Sequence, residues 1–126
     1  FLHMNGAAIM QFALKNVPSI VDKVINMMDW KKESLDLVVL HQANKFMLNY
    51  LSKKMKLSKD IVPSGVKSNG NTGPTSIPLT LNHYENELCN RKLTKVVFSG
   101  FGVGLSWGAV ALNLSETKML QVAKLP

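Results

Sequence analysis

A chain of 126 residues, 46% of them hydrophobic and 18% charged, has the size of one domain and the apolar content of a packed core, which excludes a disordered chain. Fifteen Lys and Arg against eight Asp and Glu leave a net charge of +7, which favours an acidic partner: nucleic acid, an anionic membrane or an acidic protein. A single cysteine, Cys89, excludes an intramolecular disulfide and a cysteine-based zinc site, and it suits a reducing cytoplasm.

Phe1 is not an initiator methionine, so the chain is expected to be a piece of something longer. Asn5-Gly6 reads as a helix start. Ala7 to about Met28 has helical apolar spacing (Ile9, Phe12, Ala13, Val17, Val21, Val24, Ile25), with Pro18 expected to kink or divide it. Leu35 to Leu40 is a short β-branched run that reads as a buried strand ending at His41. Gln42 to Lys56 reads as an amphipathic helix, with Ala43, Met47, Leu51 and Met55 on one face and Lys45, Asn49, Lys53 and Lys56 on another.

Ile61 to Lys67 reads as an edge-like or bulged strand because of Pro63 and Gly65. A turn-rich loop, Ser68 to Thr75, follows, and Ser76 can cap a helix from Ile77 to Asn90. The run Val96 to Ser115 carries no charge and has the length of a membrane span, but its four glycines argue against a spanning helix. It reads instead as two strands, Lys95–Ser99 and Trp107–Leu114, joined by a glycine-rich turn. Glu116 to Pro126 forms a tail. The order is α/β, with helices packed on a mixed β-sheet.

Three signals follow directly after expected strands: His41-Gln42-Ala43-Asn44, Gly70-Asn71-Thr72, and Gly100-Phe101-Gly102-Val103-Gly104. Ligand sites in α/β sheets form at the carboxyl ends of strands. The last signal is not a dinucleotide fingerprint, because Leu105 stands where the third glycine belongs and a strand follows rather than a helix.

Together with Gly102-Val103-Gly104-Leu105-Ser106-Trp107-Gly108, these motifs resemble the C-terminal half of a β-ketoacyl-[acyl-carrier-protein] synthase III. The resemblance runs from about Phe1 to Leu114, so residues 1–115 are expected to form the C-terminal domain and 116–126 its tail. It implies half of a thiolase fold, dimerised in the full enzyme. The implied chemistry is a decarboxylative Claisen condensation of an acyl-CoA primer with malonyl-acyl-carrier protein. By resemblance His41 and Asn71 are the catalytic pair, donating hydrogen bonds to the enolate oxygen left by loss of carbon dioxide. Val103 supplies a backbone N–H to a second oxyanion hole, where the family usually has glycine, and Phe101, Gly102 and Gly104 shape the substrate pocket. The family's nucleophilic cysteine belongs to the other half, and Cys89, at the end of an expected helix, does not match it. The isolated chain is therefore expected to be inactive. No metal and no resident cofactor are implied, the thioesters of coenzyme A and carrier protein being substrates.

Six lysines against one acid between Lys45 and Lys67 form a basic stretch, and the resemblance makes acidic acyl-carrier protein its partner, docking on Lys45, Lys53 and Lys56. A non-catalytic partner subunit and a secondary-metabolite condensing enzyme are the alternatives. A nucleic-acid module is disfavoured, since only Phe46 and Tyr50 interleave the basic residues.

Overall fold

In the computed structural model, which describes residues 5–118, a three-stranded sheet lies between two layers of helix. The elements in chain order are α1 (Gly6–Met27), β1 (Leu37–Leu40), α2 (Lys45–Met55), α3 (Val66–Asn69), α4 (Ser76–His83), α5 (Glu85–Leu88), β2 (Val96–Gly102) and β3 (Ser106–Leu112). β1 pairs parallel with β2, and β2 pairs antiparallel with β3, so the sheet is mixed as expected.

All four residues of β1 are fully buried, which is what a continuous apolar strand covered on both faces requires. Val38 and Leu40 face one layer, where Ala13, Val17, Val21 and Ile25 of α1 meet Met47, Leu51 and Met55 of α2. Leu37 and Val39 face the other, against Leu88 and Leu93, with Ile77 and Leu81 of α4 packed beside them. Each such side chain contributes about 1.5–3 kcal/mol when removed from water, so β1 is the most firmly held strand and a rigid base for His41 beyond it.

Asn5 begins α1 as expected, its Oδ1 accepting the Ala8 N–H at 3.0 Å. Pro18 neither divides nor ends the helix, which runs unbroken for 22 residues. A proline here strands the carbonyl four residues earlier, that of Leu14. Lys54 reaches across from α2 and donates its ammonium to that carbonyl at 2.7 Å.

Several expected boundaries move. β1 starts at Leu37, because Asp36 turns its carboxylate to the backbone N–H groups of Thr94 and Lys95, both at 2.8 Å. α2 starts at Lys45 rather than Gln42: Asn44 is its extended N-cap, accepting the Met47 N–H at 2.8 Å, so His41, Gln42 and Ala43 stay outside the helix. Ile61–Lys67 is no strand. Its residues form a 3-10 turn at Lys59–Ile61 and the single-turn α3, because Pro63 has no N–H for a ladder and the Gly65 N–H goes to the buried Gln42 side chain at 2.9 Å.

The helix expected over Ile77–Asn90 is two helices meeting at Tyr84, and Ser76 makes no side-chain cap for the first; its hydroxyl turns to the β1 exit instead. β2 runs on to Gly102 and β3 begins at Ser106, shortening the glycine-rich turn to Val103, Gly104 and Leu105. Of the expected tail, residues 119–126 lie outside the described residues. No helix among the described residues is long and apolar enough to cross a membrane.

Candidate functional site

The parallel pairing of β1 with β2 sets the site. Beyond Leu40 the ladder continues for one bond, the His41 N–H donating to Ser99 O at 2.8 Å. His41 therefore sits beside the last residues of β2, its ring 5.2 Å from that of Phe101 in an edge-to-face arrangement. Gln42 locks this exit: fully buried, it donates its side-chain amide to Leu40 O at 2.7 Å and accepts the Gly65 N–H. One side chain thus ties the strand end to the segment that leads, through α3, to Asn71.

Asn71 lies between Gly70 (φ +66°) and Gly73 (φ +61°), which take the left-handed positions of the loop. The Gly73 N–H meets the Asn71 side chain at 3.0 Å. A backbone N–H can only donate, so the atom it meets is Oδ1, and the Nδ2 protons are left without a partner among the described residues. The chain then enters α4, and buried Ser76 brings its Oγ within 2.8 Å of His41 Nδ1 and 3.2 Å of the Gln42 N–H.

These groups open onto a cleft of about 580 Å³, floored by Gly100, Gly102 and Gly108 and walled by Phe101, Trp107 and Ile77. His41, Asn71 and Val103 all line it. Val103 is almost wholly exposed at 98%, and its φ is not positive; the left-handed backbone of the turn falls on Gly104 (φ +133°). The valine at this position therefore costs the turn nothing. Gly104 itself is not among the lining residues, and a side chain there would collide with Ser106, so its place is in the turn geometry. Burial lowers the pKa of His41 below 6.5, with the Gly73 backbone partly offsetting it, so the imidazole is neutral at pH 7.

Lys45, Lys53 and Lys56 are exposed on or just after α2, Lys53 beside Tyr50 and Lys54 in a shallow depression. Cys89 is exposed at the end of α5, outside the cleft, with its thiol against Asn86 O. No group of three or more metal-ligating side chains occurs among the described residues. Ser76, Gln42, Trp107 and Ile77 escaped the sequence reading as site residues. For Ser76 the available signal was its place five residues after Asn71, read instead as a cap.

A family model described as 3-oxoacyl-[acyl-carrier-protein] synthase III C terminal matches residues 25–114. The chain belongs to this family. It is 37% identical over 116 residues to the β-ketoacyl-[acyl-carrier-protein] synthase III of Streptococcus agalactiae, covering 90% of this chain and 36% of that protein. With the Acaryochloris marina enzyme of the same name it shares 36% over 108 residues, 86% of this chain and 32% of that one. The solved 3-oxoacyl-(acyl carrier protein) synthase III of Pseudomonas aeruginosa superposes with a TM-score of 0.83 at 34% identity, over 90% of this chain and 36% of the other. The priming β-ketosynthase of the R1128 polyketide pathway, at 23% identity and a TM-score of 0.78, shares the fold. The chain spans about a third of the length of these curated relatives. Its architecture is the C-terminal half of a thiolase-like fold, a mixed sheet with helices packed on it.

Proposed function

We propose that this chain is the C-terminal part of an acyltransferase that condenses an acyl-CoA primer with malonyl-acyl-carrier protein in fatty acid biosynthesis. The observation that carries the reading is the convergence of His41 and Asn71 on one cleft, the first neutral and the second with its oxygen already occupied by Gly73. Loss of carbon dioxide from the malonyl thioester leaves an electron pair shared between the α-carbon and the thioester oxygen. Two N–H donors facing that oxygen stabilise the enolate, each worth about 3 kcal/mol, or about 100-fold in rate. The α-carbon then forms a bond to the carbonyl of the acyl-cysteine, and the cysteine leaves as thiolate. The backbone N–H of exposed Val103 belongs to the hole for the acyl-cysteine carbonyl, and Phe101 and Gly102 wall the pocket.

The nucleophilic cysteine lies outside this chain, in keeping with the position of Cys89 away from the cleft. Carrier protein docks on Lys45, Lys53 and Lys56. Lys45 favours this reading because it occupies the first turn of α2, where the helix dipole disfavours a cation, so it does nothing for the helix.

In the full protein, His41→Ala and Asn71→Ala should each abolish most release of carbon dioxide from malonyl-carrier protein. Transfer of the acyl group from acyl-CoA to the nucleophile should survive both. Undiminished decarboxylation in either variant would remove that residue from the reaction.

A further inference from the structure

Among the described residues, Ser76 is the one side chain that hydrogen-bonds both the cleft histidine and the backbone at the strand exit, and neither contact serves its own helix. It is 1% exposed, so its hydroxyl is closed off from bulk solvent. Two groups meet its Oγ: the Gln42 N–H at 3.2 Å and His41 Nδ1 at 2.8 Å. The Gln42 N–H must donate, which fills one lone pair of the hydroxyl and leaves its proton to be placed. Among the described residues, His41 Nδ1 is the one acceptor the Ser76 hydroxyl meets.

We infer that Ser76 is a positioning residue that donates its hydroxyl proton to Nδ1, holding neutral His41 as the Nε2–H tautomer. The ring's single N–H then lies on the edge remote from Ser76, where a ligand in the cleft receives it. In the other tautomer Nδ1 carries the proton and donates it to Ser76 Oγ, and Nε2 becomes an acceptor that repels a developing oxyanion. Packing alone would be indifferent to which nitrogen is protonated. The catalytic consequence rests on the role proposed for His41, but the tautomer does not.

The test is nitrogen-15 NMR of the full protein at neutral pH, with the His41 ring signals assigned by their loss in His41→Gln. Nδ1 should show the shift of an unprotonated, hydrogen-bonded nitrogen and Nε2 that of an N–H. In Ser76→Ala the Nδ1 signal should move towards the protonated form. The rate of malonyl decarboxylation should fall about 10-fold, with KM unchanged. That is well short of the roughly 10,000-fold a wrong tautomer costs a serine hydrolase, because the preference is weakened rather than reversed. A protonated Nδ1 in the unsubstituted protein overturns the inference, and that spectrum decides even where Ser76→Ala fails to fold. An unchanged tautomer and rate in Ser76→Ala also overturns it. Normal decarboxylation by His41→Ala, beside the expected tautomer, would refute the proposed function and leave the positioning intact.

Discussion

Pro18 and Lys54 form a pair whose coupling is measurable. The proline removes one helical N–H, and the orphaned Leu14 carbonyl takes its bond from the Lys54 ammonium at 2.7 Å. A hydrogen bond with a charged donor is worth about 1.5–3 kcal/mol where it is buried. Lys54 is exposed, so about 1 kcal/mol is the reasonable figure. Lys54→Met keeps the aliphatic stem and deletes the bond, so it should destabilise the protein by about that amount. Pro18→Ala returns the N–H to Leu14, and should stabilise by about 1–2 kcal/mol: the interior penalty of proline is about 3, reduced by its stiffening of the unfolded chain and by the bond lost from lysine. Once Leu14 is satisfied within its own helix, Lys54→Met should cost close to nothing. Urea unfolding of the four proteins in the cycle yields a coupling of about 1 kcal/mol at constant m. An equal cost of Lys54→Met in both backgrounds would show that the ammonium does not substitute for the missing N–H.

Burial holds the His41 pKa below 6.5, so the unfolded chain takes up that proton more readily than the folded one. Its contribution is neutral above about pH 6.5 and turns destabilising as pH falls through that value towards the folded pKa, where it levels off. Urea unfolding from about pH 5 to 7.5 should show this slope, and His41→Gln should remove it. Gln42→Leu leaves the Leu40 carbonyl and the Gly65 N–H buried and unpaired, at about 1–3 kcal/mol each. Against the small apolar gain a net loss of about 3 kcal/mol in chemical denaturation is expected, and a loss below about 1 would show that the two groups find other partners. Lys45→Glu with Lys53→Glu in the full protein should weaken binding of acidic carrier protein and flatten its dependence on salt, read by titration at two ionic strengths. Unchanged affinity would move the docking surface elsewhere. The 126 residues alone should give no condensation product from acetyl-CoA and malonyl-carrier protein; product from this chain would place a competent nucleophile within it.

β1 was legible because an uninterrupted apolar run reports burial on both faces, and it is buried at every residue. What could not be read depended on distant partners. Ile61 to Lys67 has β-branched residues and so reads as a strand, but a strand exists by its ladder, and here the Gly65 N–H is claimed by Gln42 from 23 residues away. Pro18 reads as a break because the lysine that satisfies Leu14 lies 40 residues on. The start of α2 was a missed local signal: Asn44 is a good N-cap, and the spacing of Ala43 with Met47 drew the helix three residues too early. That error conceals the site, since a helical Gln42 could not lock the strand exit. His41 and Asn71 were marked by their motifs, whereas Ser76 was mistaken for a cap because serine at a helix start usually is one.

The basic surplus becomes informative only once the folded contacts divide it. Lys32 pairs with Asp22 at 2.7 Å, Lys54 holds the Leu14 carbonyl, Arg91 donates to Asp36 O and Lys95 to Ser34 Oγ. These cations have structural partners, and a sequence count cannot separate them from the rest. Lys45, Lys53 and Lys56 are exposed and, like Lys59 and Lys67, make no side-chain hydrogen bond or ion pair among the described residues; the first two lie on α2 and Lys56 is its C-cap. Nor does the helix account for all three, because Lys45 stands at the wrong end of its dipole. Asn44 both caps α2 and ends the His41 segment, so the helix that carries these lysines starts at the edge of the candidate site. The docking proposed for those lysines would therefore bring its partner to the strand exit that holds His41, three residues of backbone before the helix.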